Sequence, residues 1–220
     1  MYELYDLNDI WKTFVLLGIV HSFIYYKRIR IALWPLLHVT GNLYIVYRSF
    51  DAVAIFIKNP IGALSYENGT ENIPDTRIIL LSLHMYHQLM FKLNAEDKWH
   101  HYMFVYCGTA FTFFTQMGVF LGIYNLFVCG IPSAIFYTLL VLKSRNLITK
   151  SQGCTIHRLV DLWIRSPCLS MVWAFGLIIC LQNSLYLHII PITFLTLYNG
   201  QHYADIAIRN YEKMRLEISL

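Results

Sequence analysis

The sequence predicts an all-α fold, a polytopic membrane bundle of about seven transmembrane helices, on three observations. Of 220 residues, 57% are hydrophobic and only 14% charged, with mean hydropathy +0.48, where a soluble domain carries about 25% charged residues. Long runs contain no Asp, Glu, Lys or Arg. The charged segments between those runs alternate in sign. The length suits one transmembrane domain over residues 1–220 and no second domain.

The spans follow in order. Thr13–Tyr26 lies between Lys12 and Lys27. Ile31–Tyr47 follows Arg30, and the apolar pattern resumes after Asp51 as far as Ile57. Arg48 and Asp51 are spaced to share a helix face. Ile78–Phe91 is only fourteen residues, short of the roughly 20 a span needs, but Arg77 and Lys92 can snorkel and let it extend. Trp99–Leu142 is free of charge for 44 residues. At 1.5 Å per residue that is about 66 Å, twice the hydrocarbon core of roughly 30 Å, so it makes two helices. They reverse near Gln116-Met117-Gly118. Ser166–Ala204, charge-free over 39 residues, makes two more, with a turn near Gln182-Asn183-Ser184 and Pro191 opening the last.

The connections orient the bundle. Lys27, Arg28 and Arg30 follow the first span. Lys143, Arg145, Lys150, Arg158 and Arg165 occupy the segment after the fifth, and Arg209, Lys213 and Arg215 follow the seventh. The alternate ends carry Glu3, Asp6 and Asp9, then Glu67, Glu71 and Asp75. Excess Lys and Arg stay on the cytosolic side, which places the N-terminus in the lumen and the C-terminus in the cytosol. The glycosylation sequon Asn68-Gly69-Thr70 falls on the luminal side. The acidic N-terminus lacks the basic stretch and cleavage site of a secretory signal.

Several classes are excluded. A net charge of +4, scattered and without a basic patch, does not suit nucleic acid. Cys107, Cys129, Cys154, Cys168 and Cys180 are odd in number and lack a Cys-x-x-Cys pair, so no disulfide framework is implied. There is no phosphate loop and no serine-nucleophile elbow.

Chemistry concentrates in the histidines. Four of nine fall within eighteen residues: His84, His87, His100 and His101. His84 and His87 share a helix face, and an ionisable group at membrane depth is costly and marks function. The bland alternative is neutral imidazoles hydrogen-bonding between helices. Topology sends His87 deeper toward the cytosol than His84, and His100-His101 open the fourth span from that side. His202 and Asp205 end near the same face, spaced so that the carboxylate orients the imidazole. His21 is a weaker member. His38 reads as mid-span and His188 as near the luminal end, both buried and structural, while His157 sits in a cytosolic loop, four residues before Asp161, and fits either role. His84, His87, His100, His101, His202 and Asp205 are thus the candidate catalytic residues, lining one cavity toward the cytosolic leaflet. His87, His100 or His101, and His202 are expected within about 8 Å of one another.

Three chemistries fit such a cluster. Neutral imidazole suits acid–base or nucleophilic work on an acyl group. Imidazoles on facing helices can hold a metal, as a metal-dependent lipid oxidase would require. The third is a non-catalytic lipid or partner pocket. Di-iron desaturases carry several His-x-x-x-His and His-x-x-His-His boxes, whereas this chain has one His-x-x-His and one His-His pair, so no metal site is assigned.

Leu83-His84-Met85-Tyr86-His87-Gln88 resembles the His-x-x-His-His box of fatty-acid elongases, with Gln88 standing where the last histidine belongs. A broader likeness is to the TLC-domain family, which includes ceramide synthases and translocation-associated membrane proteins. Its parallels are Tyr86-His87, Met90-Phe91, Asp97 and His100-His101. Ser133 to Lys143, Trp163-Ile164-Arg165-Ser166-Pro167 and Tyr198-Asn199-Gly200-Gln201-His202-Tyr203 resemble the elements that follow. This likeness covers about residues 75–211. It implies an endoplasmic-reticulum membrane protein acting on membrane lipids, with His100 and His101 as general base and orienting partner. Acyl-CoA is the co-substrate it implies, with no permanently bound cofactor. Ceramide synthases place acidic residues in the helix after the pair, and Phe104 to Leu142 has none. A TLC-like lipid binder, sensor or trafficking protein without turnover is the rival reading. Oligomeric state is not legible.

Overall fold

The computed structural model describes residues 7–26, 33–63, 76–108, 118–182, 187 and 189–219, and every element among them is helical. The sequon, the acidic loop around it, the basic residues 27–30, the two proposed reversals and His188 lie wholly or partly outside the described residues.

Helix α1 runs Leu7–Tyr26 and α2 Leu33–Lys58, followed by the single turn α3, Pro60–Ala63. Helix α4 is Thr76–Met90. Helix α5 begins as Ala95–His100 and continues in wider π-helical turns over His101–Cys107. Helix α6, Gly118–Ser144, and α7, Lys150–Gln182, are long and apolar enough to cross a membrane; α8 is Ile190–Ser219.

Local chemistry sets the ends. Asn94 caps α5 by accepting the Asp97 N–H at 2.8 Å, and Glu96 and Asp97 in its first turn suit the positive end of the helix dipole. Thr149 and Gln152 form a reciprocal capping box that starts α7. Asn146, at φ 56°, takes the left-handed conformation that ends α6. That box makes a helix of a stretch expected as loop: Lys150–Val160 and Asp161–Arg165 are the first half of α7.

Helices α2 and α6 pack along one another at the centre. Helices α1 and α4 lie against α2, while α7 and α8 form an antiparallel pair whose lower part also meets α6. Small residues bring these helices close. A Cβ on Gly41 would stand 2.8 Å from Leu83, and one on Gly176 2.4 Å from Thr193. No disulfide joins the five cysteines.

The distribution of polarity is inverted relative to a soluble bundle. On α2, His38, Asn42 and Ser49 are buried, whereas Leu43, Tyr47, Phe50 and Ile57 are exposed. On α8, Thr193, Thr196 and Asn199 face inward, and Phe194 and Tyr198 outward. Arg48, expected to face Asp51, donates to the Tyr44 hydroxyl at 2.7 Å.

Candidate functional site: a buried histidine cluster

Three helices deliver five imidazoles to one place. Helix α4 supplies His84 and His87 from one face, α5 supplies His100 and His101, and α2 supplies His38. His38, His84, His87 and His101 are buried. Ring centroids lie 4.9 Å apart for His84–His101, 5.2 Å for His87–His101 and 5.9 Å for His84–His100. His38 lies 5.6 Å from His84 and 4.9 Å from His87.

Hydrogen bonds hold the rings in place. His38 Nε2 and His87 Nδ1 are 3.2 Å apart, so one ring donates and the other accepts. His84 Nδ1–H donates to the Leu80 carbonyl at 2.8 Å, which leaves its Nε2 as the acceptor. The His100 Nδ1 and the Tyr203 hydroxyl are 2.8 Å apart. The Nδ1 of His101 has no partner although the residue is only 3% exposed.

Aromatic rings wall the cluster. Trp34 stacks on His87 at 5.0 Å, and Tyr137 on His38 at 4.3 Å. Gln88 accepts from the Tyr106 hydroxyl at 2.5 Å. Four of the six candidate residues, His84, His87, His100 and His101, therefore lie in direct ring contact. His202 stands one step away. It stacks on Tyr198 at 5.5 Å and meets Trp99 and Tyr203 at 5.7 and 5.3 Å, reaching His100 through Tyr203.

Asp205 corrects the expectation. Its carboxylate is largely exposed and pairs with Arg209 at 2.6 Å, so it does not orient His202. His21 accepts or donates to Tyr86 at 2.8 Å on the flank of the bundle.

His38 is the missed member. Helix α2 runs unbroken through Arg48 and Asp51 from Leu33, which puts His38 in its second turn instead of mid-span. A second group, of which the sequence showed only the His157–Asp161 spacing, lies in the π-helical turn of α7. Asp161, 1% exposed, meets His157 at 2.8 Å and Arg165 at 3.3 Å. Arg165 donates to Ser133 at 3.0 Å and lies 4.7 Å over the Tyr203 ring. The i, i+4 spacing of His157, Asp161 and Arg165 was the available signal, and π-bulges often mark working sites.

The arrangement offers imidazole nitrogens as acceptors and donors in a buried interior, a setting for proton transfer. Among the described residues no three His, Cys, Asp or Glu side chains are placed to hold a metal ion. The fold and site define a helical bundle with a buried imidazole cluster. No family model, curated protein or solved structure matches the chain.

Proposed function

We propose that the chain is a TLC-like multi-pass protein of the endoplasmic-reticulum membrane that acts on lipids through its histidine cluster. The cluster itself carries the reading: five imidazoles from three helices, packed ring to ring, with a buried nitrogen left open on His101. Such groups at membrane depth are costly, and that cost points to a working site.

Seven of the helices, all but α3, would cross the bilayer, with the N-terminus luminal and the C-terminus cytosolic. The exposed apolar faces of α1 and α2 support this, because in water they would lie uncovered. So does the alternation of basic and acidic connections. In this orientation His38, His87 and His100-His101 sit at the cytosolic ends of their helices. A protease-protection assay that finds a C-terminal tag in the lumen would refute it.

The chemistry that fits is acyl transfer from a thioester, acyl-CoA, to a lipid amine or hydroxyl. A neutral imidazole takes the acceptor's proton as its nitrogen or oxygen attacks the carbonyl. The C–S bond breaks, and the thiolate leaves with that proton. His100 and His101 are nearest in kind to this task, with His84, His87 and His38 holding the rings around them. Lipid profiles of cells expressing the protein, compared with the His100→Ala/His101→Ala variant, test turnover. A lipid class that changes only with the intact pair supports the enzyme. An unchanged profile with lipid still co-purifying supports a binder, which the charge-free stretch from Phe104 to Leu142 favours.

A further inference from the structure

His100 and His101 are neighbours in sequence, but their rings leave the helix about 100° apart, at 3.6 residues per turn. They meet different surroundings, and the difference assigns them different tasks.

His100 is tied to α8. Its Nδ1 lies 2.8 Å from the Tyr203 hydroxyl. The Tyr203 ring in turn lies 4.7 Å from the guanidinium carbon of Arg165. Arg165 is buried, and two contacts hold it over that ring: Asp161 at 3.3 Å and Ser133 at 3.0 Å. A cation on the face of a phenol draws electron density from the ring, which strengthens the hydroxyl as a donor to Nδ1. A neutral imidazole that accepts at Nδ1 carries its proton on Nε2. His100 is then an N–H donor.

His101 is the opposite case. It is buried, and its Nδ1 has no partner. A buried nitrogen without a hydrogen bond is unfavourable, and an incoming polar group would satisfy it. It is the open position of the pair.

We propose that the pair is divided: Tyr203 and Arg165 are positioning residues that hold His100 as the Nε2–H tautomer, a donor to the carbonyl oxygen of the acyl thioester, while Nδ1 of His101 is the atom that accepts the proton of the attacking lipid amine or hydroxyl and returns it to the leaving thiolate. This rests on the lipid reading above, and it names which ring is base and which is donor. It also gives work to the buried Asp161–Arg165 pair, which the cluster alone leaves unexplained.

Nitrogen-15 solid-state NMR of histidine-labelled protein in liposomes tests the division. The signals of His100 and His101 are assigned by their loss in His100→Gln and His101→Gln. The expected wild-type spectrum shows His100 with its proton on Nε2 and a hydrogen-bonded, unprotonated Nδ1. In Tyr203→Phe the two tautomers mix. Arg165→Lys keeps the wild-type pattern and Arg165→Met does not. Turnover of a thioester donor should fall at least tenfold in Tyr203→Phe with little change in KM. A wild-type His100 protonated at Nδ1, or a folded Tyr203→Phe protein with an unchanged tautomer, overturns the proposal. If Tyr203→Phe does not fold, the wild-type spectrum decides alone. The spectrum reads the tautomer whether or not lipid is turned over. An expected spectrum with unchanged lipid profiles would therefore refute the enzyme and leave the tautomer assignment standing.

Discussion

Nε2 of His38 and Nδ1 of His87 lie 3.2 Å apart in the buried interior, and this hydrogen bond joins α2 to α4. It makes His38 part of the cluster. An interhelical hydrogen bond in a membrane contributes about 0.6 kcal/mol on average and about 1.7 at most. The double variant His38→Ala/His87→Ala should therefore cost less stability than the sum of the single variants, by a coupling within that range. A double-mutant cycle of unfolding in detergent measures it, and strict additivity would mean the bond contributes nothing.

The two pairs of Asp with Arg should behave oppositely. Asp205 and Arg209 are exposed, and such an i, i+4 pair is worth about 0.3–0.5 kcal/mol. Asp161 is buried against Arg165 and His157, where removing one partner strands a charge at a cost of about 3–5 kcal/mol. Asp205→Asn should leave thermal stability nearly unchanged, whereas Asp161→Asn should lower it sharply. Equal losses would show that the buried pair is not a packing element.

Much of this was legible before the structure. The 44-residue charge-free stretch from Trp99 had to hold two helices, and the described parts of it are α5 and α6. His84 and His87 share a face by spacing, and they do meet His101. What spacing could not show was partner choice. Asp205 is three residues from His202 and four from Arg209, both within reach on a helix, and the guanidinium takes it. Treating 150–165 as a loop hid the pairing of Asp161 with Arg165, although Thr149 and Gln152 carry a helix-start signal. His38 was misplaced because Arg48 and Asp51 suggested an interruption that α2 runs straight through.

Glycine substitutions test the packing of α7 on α8. At Gly176 a Cβ would stand 2.4 Å from Thr193 Cγ2 and 3.2 Å from its Cβ. Gly176→Ala should force the helices apart and cost about 1–3 kcal/mol. At Gly153 the nearest atom is 3.7 Å away, so Gly153→Ala should be stabilising by up to about 1 kcal/mol through helix propensity. Thermal unfolding of the two variants in detergent gives the contrast directly.

Lys150 at the start of α7 and Glu217 near the end of α8 form an exposed ion pair. The hydrogen bond to Lys150 holds the Glu217 carboxyl below its ordinary 4.5, and the same bond holds the Lys150 ammonium above 10.5. The carboxyl's contribution is present above 4.5 and lost as pH falls through its lowered value. The ammonium's is present below 10.5 and lost as pH rises through its raised value. Spin labels at the two helix ends should report one constant distance between these limits, at low salt. A distance that changes steadily between about pH 5 and about pH 10, inside the ordinary values of the two groups, would show that the pair does not join the ends.

Photo-crosslinking tests most directly whether the histidine cluster receives lipid. A fatty acid carrying a diazirine near its carboxyl, fed to cells and activated by light, places its label where the lipid's polar end rests. Adducts are expected on the peptides of α4 and α5 that hold His84, His87, His100 and His101, reduced when His101 is replaced by Phe. Adducts confined to the exposed residues of α1 and α2, and indifferent to His101→Phe, would contradict it.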